Sequence, residues 1–437
     1  MFCQSLQRSS YRGKAANCCA LAAWIVASSG AVFSAAASPS HRTAQRAAPI
    51  SAPAFGWPAA AQHGPYPLAP GVRNFEVDRP DGQTPTYNDL ESLQYHHHTR
   101  VAVDRSRRIW VAYSGALRQE GESGMITEVR SSRDGRTWTS PHVVVAPASA
   151  FNGSLQAGRR ISYPRAFVSY QGQMYLVAAI DQANGVGCCS NEQGEALIAV
   201  RLHRDGSVGK PFRVSAAPYT PIPGFPAYPY DPNDPTLGPA LFHQANLFGT
   251  WGGSAPGQRA SAWTGYGTAA DGTTLVEPNT IRLRHPDGWL LRLWRDEGKI
   301  GQFELYASVS PDDGARWSPA LPTGIPNSPS ETTLVALTNG DIAVAGNARD
   351  NPDARDARDP LYLAIFSGDG GVPRHIYALR QGLGPPAYDN HVTCGTAVKP
   401  CGAGYPGAYE FRGKLYVSYS VDKQQIWLAI VPVSGLE

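Results

Sequence analysis

The sequence predicts an all-β propeller built from repeated four-stranded antiparallel sheets. Residues 277–317 contain three runs that alternate apolar and polar residues, the period of half-buried strands, and turns at 285–288 and 310–314 separate the runs. The second turn recurs at 132–138 and, in a shortened form, at 367–371. Because one small sheet cannot bury its apolar surface alone, repeated copies in one chain indicate a ring of sheets.

The bulk composition agrees with this fold class and limits the partners. The 437 residues are 42% hydrophobic and only 17% charged, and 45 Gly and 37 Pro supply many tight turns. The net charge of +3 falls to about zero when the three basic residues of the predicted signal peptide are removed. A chain without excess positive charge is not expected to bind nucleic acid or an anionic membrane.

The N-terminal region has the pattern of an exported protein. In residues 1–37, basic residues precede the apolar run 18–36, and 35–37 form a small-residue cleavage site, so a secretory signal peptide is predicted. Residues 38–71 are rich in Ala and Pro without periodicity, which predicts a flexible leader. No later run approaches the length of a membrane helix. The propeller is expected to occupy 72–437 of a secreted or periplasmic monomer.

Six blades can be traced along the chain. In order they cover 95–138, 163–206, 240–276, 277–317, 330–380 and 405–433. The third is the least regular, and a seventh blade has room in 183–275 or 380–404. A strand at 72–77 is expected to close the ring beside the last blade. A Pro-rich segment at 218–239 is long enough to be functional.

Four cysteines remain beyond the signal peptide, namely Cys188, Cys189, Cys394 and Cys401. An even number in an oxidising compartment favours disulfide bonds, with the pairing left open. A zinc site is the alternative, but adjacent cysteines are poorly spaced for tetrahedral coordination. The sequence requires no cofactor and no catalytic metal, and it is compatible with a structural calcium ion.

The repeated turn carries a family resemblance. It consists of Ser-x-Asp, then Gly, then Trp, in which the Asp accepts backbone N–H groups, the Gly adopts positive φ and the Trp covers the sheet. The turns at 132–138 and 310–317 resemble the Asp-boxes of the sialidase-like (BNR-repeat) propellers. The resemblance covers most of the chain from residue 94 onwards. It implies the architecture more than the chemistry, because such propellers include hydrolases, lyases and plain binders.

The first residues of each innermost strand converge on the axis of a propeller, so they are the candidate site. In this chain they are His96, His97, His98, Tyr163, Arg165, Glu277, Glu331 and Tyr405. Alternation along a strand places His96 and His98 on one side and His97 on the other. These histidines are interpreted as acid/base or sugar-binding groups rather than metal ligands, because no further ligand can be placed.

Two segments resemble those that carry the sialidase active site. Sialidases use a Tyr nucleophile activated by a Glu, with three Arg holding the substrate carboxylate. Glu277, with Arg295 and an Asp-box after it, resembles the segment with that Glu and the second Arg, and Tyr405 resembles the nucleophile. The third Arg corresponds to one of Arg349, Arg355 and Arg358.

Two positions depart from the sialidase pattern. His97 and His98 stand where sialidases have an Arg, and only Glu120 or Glu122 is available in place of their catalytic Asp. These substitutes resemble instead a branch of propellers that act on rhamnosyl-glucuronate or ulvan-type glycans, where His and Tyr are acid/base groups and an Arg holds the uronate. β-Elimination needs a neutralised carboxylate, a base for the α-proton and an acid for the leaving oxygen.

The resemblance therefore implies a secreted enzyme that cleaves an acidic oligo- or polysaccharide by β-elimination beside a uronate. An exo-sialidase-type hydrolase with a Tyr nucleophile and a Glu base is the alternative, and a glycan-binding propeller without turnover is the second alternative. The candidate catalytic residues are His97, His98, Tyr163, Glu277 and Tyr405. The candidate substrate-binding residues are Arg165, His243, Arg295, Arg349, Arg358 and Lys423.

Overall fold

The structure, a computed structural model, covers most of the predicted propeller. It describes residues 54–122, 124–145, 160–182, 193–214, 236–249, 267–284, 288–296, 303–328, 330–348, 358–383 and 401–437. All of them belong to the unit Pro49–Glu437. The predicted signal peptide lies outside the described residues and stays a prediction.

The described chain is built mainly of β-strands. In order these are β1 (Arg73–Asp78), β2 (Tyr95–Val103), β3 (Ile109–Ala116), β4 (Ile126–Ser132), β5 (His142–Val145), β6 (Arg160–Tyr170), β7 (Gln173–Gln182), β8 (Gln193–Leu202), β9 (Phe212–Arg213), β10 (Gly267–Thr268), β11 (Thr274–Arg282), β12 (Leu290–Asp296), β13 (Glu304–Ser310), β14 (Leu321–Pro326), β15 (Thr333–Ala336), β16 (Ile342–Asn347), β17 (Leu361–Ser367), β18 (Gly370–Arg380), β19 (Ala403–Phe411), β20 (Lys414–Val421) and β21 (Gln425–Pro432). The α-helix α1 covers Leu237–Phe248, and 3-10 helices cover Ala59–Ala61, Leu90–Ser92 and Val433–Gly435. The 12 residues of α1 fall well short of the about 20 that span a bilayer, and no other described helix is longer.

The strands pair into five antiparallel blades in the described residues, which confirms the all-β propeller class. β2–β5 form the first blade, β6–β9 the second, β11–β14 the third, β15–β18 the fourth, and β19–β21 with β1 the fifth. The two-residue strand β10 extends the edge of the third blade. Arg73 of β1 lies opposite Ile430 of β21, so the predicted closure of the last blade by an N-terminal strand is confirmed.

The prediction of six blades, with room for a seventh, is wrong, because the described residues form five. The difference lies in the expected third blade at 240–276. Its first part is the helix α1, in which Leu237, Leu241 and Ala245 are buried at helical spacing. Its last part, β10 and the start of β11, belongs to the blade that follows. Residues 250–266 lie outside the described chain.

The described part of the predicted flexible leader packs on the fourth blade. Phe55 forms a parallel bridge to β18, and the ring of Trp57 lies 5.2 Å from that of Tyr362. Tyr66 is buried, and its hydroxyl donates a hydrogen bond to a leader carbonyl. Apolar side chains therefore anchor residues 54–71, and the expected flexibility does not apply to them.

The repeated turns have the structure that their sequence predicts. In the turn at 132–138 the Asp134 carboxylate accepts the N–H groups of Arg136 and Thr137, both at 2.8 Å, and Gly135 has a φ of 76°. These hydrogen bonds lower the pKa of Asp134 to about 2. The turn between β13 and β14 repeats the arrangement. The form that the two turns share thus closes a hairpin in each of two blades.

A buried carboxyl lies within the first blade. Glu128 of β4 is opposite Tyr113 of β3, and neither of its oxygens has a hydrogen-bonding partner among the described residues. Burial and the nearby Asp78 raise the pKa of Glu128 well above its usual value, against the opposing effect of Arg130. The folded protein therefore favours the protonated form of this side chain.

Glu128→Gln is expected to raise the midpoint of thermal unfolding at neutral pH. A carboxyl whose pKa is raised on folding stabilises the folded protein fully only when the pH is below 4.5, the pKa in the unfolded chain. As the pH rises from 4.5 towards the pKa in the folded protein, that stabilisation is lost. Glutamine does not titrate, so the advantage of the variant should grow from pH 4.5 towards neutrality. Melting curves over this range test the expectation, with Glu76→Gln, in the partly exposed ion pair with Arg79, as control. A neutral-pH midpoint at or below the wild-type value would contradict it.

Candidate active site

The first strands of the blades surround the axis. β19 contacts β2, β2 contacts β6, and β11 contacts β15, which in turn contacts β19. Four of these strands contain a β-bulge, where the pairing register shifts at 97–100 in β2, 164–166 in β6, 276–279 in β11 and 404–407 in β19. A bulge lets a side chain leave the strict alternation of a strand.

Three candidate residues occupy these bulges in a strained backbone conformation. His98, Glu277 and Tyr405 have φ values of 54°, 50° and 53°, the left-handed region that few residues other than glycine adopt. Glu277 and Tyr405 also precede a proline, which normally holds the preceding residue in an extended conformation. Such strain persists where the surrounding structure enforces it, and it clusters at functional sites.

Tyr405, Glu277 and Arg295 form a hydrogen-bonded triad from β19, β11 and β12. The Tyr405 hydroxyl donates to Glu277 Oε1 at 2.6 Å. Nη1 of Arg295 donates to Glu277 Oε2 at 2.7 Å and to the Tyr405 hydroxyl oxygen at 2.9 Å. Tyr405 is 4% exposed, whereas the side chains of Arg295 and Glu277 are 12% and 10% exposed. The triad is therefore more exposed to solvent at the Glu277–Arg295 ion pair than at Tyr405.

Two imidazole rings and an arginine surround the Tyr405 ring. The ring centroids of His97 and His98 lie 4.1 Å and 5.2 Å from its centroid. Cζ of Arg358 lies 5.1 Å from the same centroid. The ring of Tyr163 lies 6.0 Å from that of His98. These five side chains, all buried, form a continuous cluster.

The bulge in β2 corrects the expectation from strand alternation. Alternation pairs His96 with His98, but the structure brings His97 and His98 together at Tyr405. Nδ1 of His96 lies instead 3.0 Å from the carbonyl oxygen of Gln424, away from this ring. The reason is the additional residue of the bulge, which shifts the alternation by one position.

A serine hydroxyl lies against each imidazole of the cluster. Nδ1 of His97 is 2.5 Å from Oγ of Ser420 in β20. Nδ1 of His98 is 3.2 Å from Oγ of Ser114 in β3. Both serines are buried, so neither hydroxyl is available to solvent.

A buried ion pair lies next to His98. Lys423 donates to Oε2 of Glu120, and Oε1 of the same carboxylate lies 3.3 Å from Nε2 of His98. The side chains of Lys423 and Glu120 are only 4% and 6% exposed. The sequence predicts that Lys423 binds substrate, whereas the structure pairs its ammonium group with Glu120.

Burial and neighbouring charges set the protonation of the cluster. Burial and the Glu277 carboxylate raise the pKa of Tyr405 well above its usual value, so the hydroxyl keeps its proton. Burial and the Lys423 ammonium lower the pKa of His97 well below its usual value, so the ring is neutral near pH 7. Burial acts to raise the pKa of Glu120, but Lys423 and the imidazoles outweigh it and the pKa lies well below its usual value.

Most of the predicted site residues lie in this cluster, and two do not. Arg165 is buried. Together with Arg100 it lines a separate cavity of about 590 Å³. This cavity lies between the first strands of the blades, at the residues that come after each bulge. His243 lies on α1 with its side chain 55% exposed, 3.5 Å from Asp313. Arg349 lies outside the described residues. The cluster contains His97, His98, Tyr163, Glu277, Arg295, Arg358, Tyr405 and Lys423.

The hydroxyl side chains that support the cluster were not predicted from the sequence. The Tyr405 N–H donates to Oγ of Ser330 at 3.3 Å, and the Tyr405 carbonyl accepts from Oγ1 of Thr99 at 2.9 Å. Together with the two serines beside the imidazoles, these residues are buried. A Ser within an otherwise largely apolar strand, as in β3 and β20, is the sequence signal that could have identified Ser114 and Ser420.

The predicted disulfide bonds stay predictions, because Cys188, Cys189 and Cys394 lie outside the described residues. Cys401 is buried at the start of the fifth blade. Within the described ranges, no three His, Cys, Asp or Glu side chains converge as a metal site would require.

Two parts of the chain match known protein families. Residues 251–432 match a family described as a BNR repeat-like domain. Residues 57–187 match one described as an N-terminal beta propeller. No curated protein sequence matches the chain significantly.

Solved structures with the same fold include sialidases. One described as a sialidase has a TM-score of 0.63 and 18% identity, over 87% of this chain and 35% of that chain. Trypanosoma rangeli sialidase in complex with sialic acid has a TM-score of 0.52 and 15% identity, over 85% of this chain and 60% of that chain. A mutant of the same sialidase that displays trans-sialidase activity has a TM-score of 0.53 and 14% identity, over 85% of this chain and 60% of that chain.

The described residues form a β-propeller, residues 251–432 match a BNR repeat-like domain, and the fold is structurally similar to that of sialidases. Identities of 14–18% show a shared fold alone. The chain also spans only 35% of the first of these structures and 60% of the others.

Proposed function

We propose that this protein is a glycoside hydrolase that cleaves the bond to an acidic sugar. The proposal is carried by the triad, in which the Tyr405 hydroxyl contacts the Glu277 carboxylate at 2.6 Å and the Arg295 guanidinium at 2.9 Å. A tyrosine becomes a nucleophile when a neighbouring base takes its proton. Glu277 is placed to be that base, and the likeness to sialidase structures supports hydrolysis as the reaction.

In the proposed reaction Tyr405 attacks the anomeric carbon of the sugar. Its proton moves to Glu277 as the new oxygen–carbon bond forms, and the bond to the leaving oxygen breaks with the electron pair on that oxygen. Arg295 donates to the tyrosine oxygen and stabilises the charge that develops there. Water then attacks the same carbon, and Tyr405 leaves with the proton that Glu277 held. The leaving oxygen gains a proton in the first step and the water loses one in the second, so one further group must exchange a proton.

The charges around Tyr405 favour a substrate that carries a carboxylate. Cζ of Arg358 lies 5.1 Å from the centroid of the Tyr405 ring, and Arg295 donates to the Tyr405 hydroxyl oxygen. An arginine holds a carboxylate through paired N–H donors. The similarity in fold to Trypanosoma rangeli sialidase, solved in complex with sialic acid, supports an acidic sugar as the substrate.

β-Elimination at a uronate is the second candidate reaction, and the neutral His97 ring favours it. His97 would take the α-proton, the protonated Tyr405 would give its proton to the leaving oxygen, and Arg358 would neutralise the carboxylate. We rank this reaction second because it gives no role to the hydrogen bond between Tyr405 and Glu277.

Two assays on the purified protein separate these reactions. Release of the fluorophore from fluorogenic sialosides and glucuronides reports hydrolysis. Ultraviolet absorbance of an unsaturated uronate, formed from uronate-rich polysaccharides, reports elimination. Retention on a glycan array without either product would overturn both proposals and leave a glycan-binding propeller.

The pH dependence of kcat/KM is expected to distinguish the two reactions. Since the pKa of His97 lies well below 6.5, the ring gains a proton only in acid. A hydrolase needs the protonated ring for the leaving oxygen, so kcat/KM should fall as the pH rises through that pKa. A lyase needs the neutral ring, so kcat/KM should rise over the same range. His97→Gln should remove either dependence, and a flat wild-type profile would exclude both roles of His97.

A further inference from the structure

We infer that His97 is the group that exchanges the proton with the substrate, and that His98 is a positioning residue held by Ser114, Glu120 and Lys423. This assignment rests on the proposed function. Nε2 of His97 has no hydrogen-bonding partner among the described residues. Nε2 of His98 also lacks a hydrogen bond of full geometry, but it lies 3.3 Å from Oε1 of Glu120, and Nδ1 of His98 lies 3.2 Å from Oγ of Ser114.

The hydroxyl of Ser420 determines which nitrogen of His97 carries the proton. Oγ of Ser420 lies 3.3 Å from the carbonyl oxygen of Gly404 and 2.5 Å from Nδ1 of His97. A carbonyl oxygen only accepts, so the single hydroxyl proton is directed to Gly404. With the hydroxyl proton on Gly404, the serine oxygen accepts from His97, which places the imidazole proton on Nδ1. Nε2 is left with a lone pair at a ring that lies 4.1 Å from Tyr405.

The ion pair of Glu120 and Lys423 fixes the opposite tautomer of His98. An ionised carboxylate only accepts, so Nε2 of His98, 3.3 Å from Glu120, carries the proton. Nδ1 then accepts from the hydroxyl of Ser114. Lys423 keeps the carboxylate ionised and therefore acts on His98 through Glu120. His98 cannot exchange a proton with a substrate without giving up one of these contacts.

The groups that face His97 account for its preference for the neutral ring. His98 lies 4.7 Å away, ring to ring, and Tyr95 lies 6.0 Å away. Lys423 and Arg358 are cations that disfavour the imidazolium, and Glu120 is the anion that favours it. The neighbouring Tyr405 ring is uncharged while its hydroxyl is protonated. At neutral pH His97 is thus a base, and in the hydrolase reaction it can protonate the leaving oxygen only in the fraction of molecules in which Nε2 has gained a proton.

Nitrogen-15 NMR of the full chain labelled at histidine tests the two tautomers without any substrate. Near neutral pH, His97 is expected to carry its proton on Nδ1 and His98 on Nε2. The signals are assigned from spectra of His97→Gln and His98→Gln, and His142→Gln, on the outer strand of the first blade, is the matched control. A proton on Nε2 of His97 at neutral pH would overturn the inference.

Kinetics on the cognate glycan test the division of roles. His97→Gln is expected to lower kcat/KM about a hundredfold and to abolish its dependence on pH. Glu120→Gln should lower kcat at unchanged KM and should retain the pH dependence, because His97 is still present. If His98→Gln abolishes the pH dependence while His97→Gln retains it, the roles are reversed and the inference is wrong. Absence of turnover by the wild type on every glycan would refute the proposed function, whereas the NMR result would still decide the tautomers.

Discussion

Tyr405→Phe is expected to lower kcat on the cognate acidic glycan by about a hundredfold or more and to leave the fold intact. The substitution removes the hydroxyl, so it removes the proposed nucleophile. The ring keeps its contacts with His97 and Arg358. Glu277 and Arg295 remain paired at 2.7 Å, so no buried charge is left alone. Steady-state kinetics and the unfolding midpoint are the measurements.

Tyr419→Phe is the matched control for this experiment. Tyr419 lies on β20 of the same blade, is buried, and donates its hydroxyl to Asn74 at 2.7 Å. Its variant loses one buried hydroxyl outside the cluster, which should cost about 1 kcal/mol of stability without a change in kcat. Wild-type kcat for Tyr405→Phe would show that the chemistry takes place elsewhere on the propeller, for example at the cavity lined by Arg165.

The sheets could be predicted from the sequence because their signals are local. Alternating apolar residues and the turns at 132–138 and 310–317 identify strands and hairpins without knowledge of the rest of the chain. The number of blades could not be predicted in this way. In α1 the buried residues Leu241 and Ala245 are four positions apart, so the segment folds as a helix although a repeat was expected there.

The meeting of Tyr405 and Glu277 could be predicted, because the starts of innermost strands converge on the axis of any propeller, and Arg295 beside them was implied by the resemblance to sialidases. The side of β2 on which each histidine lies could not be predicted. It depends on the bulge in β2 and on the left-handed backbone at His98, neither of which leaves a signal in the sequence. The partner of Lys423 was also beyond sequence reasoning, since Glu120 lies 303 residues away in the chain.

Glu331→Gln is expected to lower the free energy of unfolding by about 3–5 kcal/mol. Arg100 of the first blade donates to Oε1 of Glu331, at the start of the fourth blade, at 2.7 Å, and their side chains are 9% and 0% exposed. Glutamine has the same shape but no charge, so the Arg100 guanidinium would lose its carboxylate partner while it stays buried. A lower midpoint of denaturation by urea, at an unchanged slope, is the expected result.

The double variant Arg100→Met with Glu331→Met separates the effect of the charge from the effect of packing. Apolar side chains of similar volume remove both buried charges, so neither is left without a partner, and most of the lost stability should be recovered. The methionines also keep the space between the blades filled at the axis. If the double variant is less stable than Glu331→Gln, hydrogen bonding of Arg100 to the carbonyl oxygens of Thr99 and Arg165 stabilises the ring more than the ion pair does.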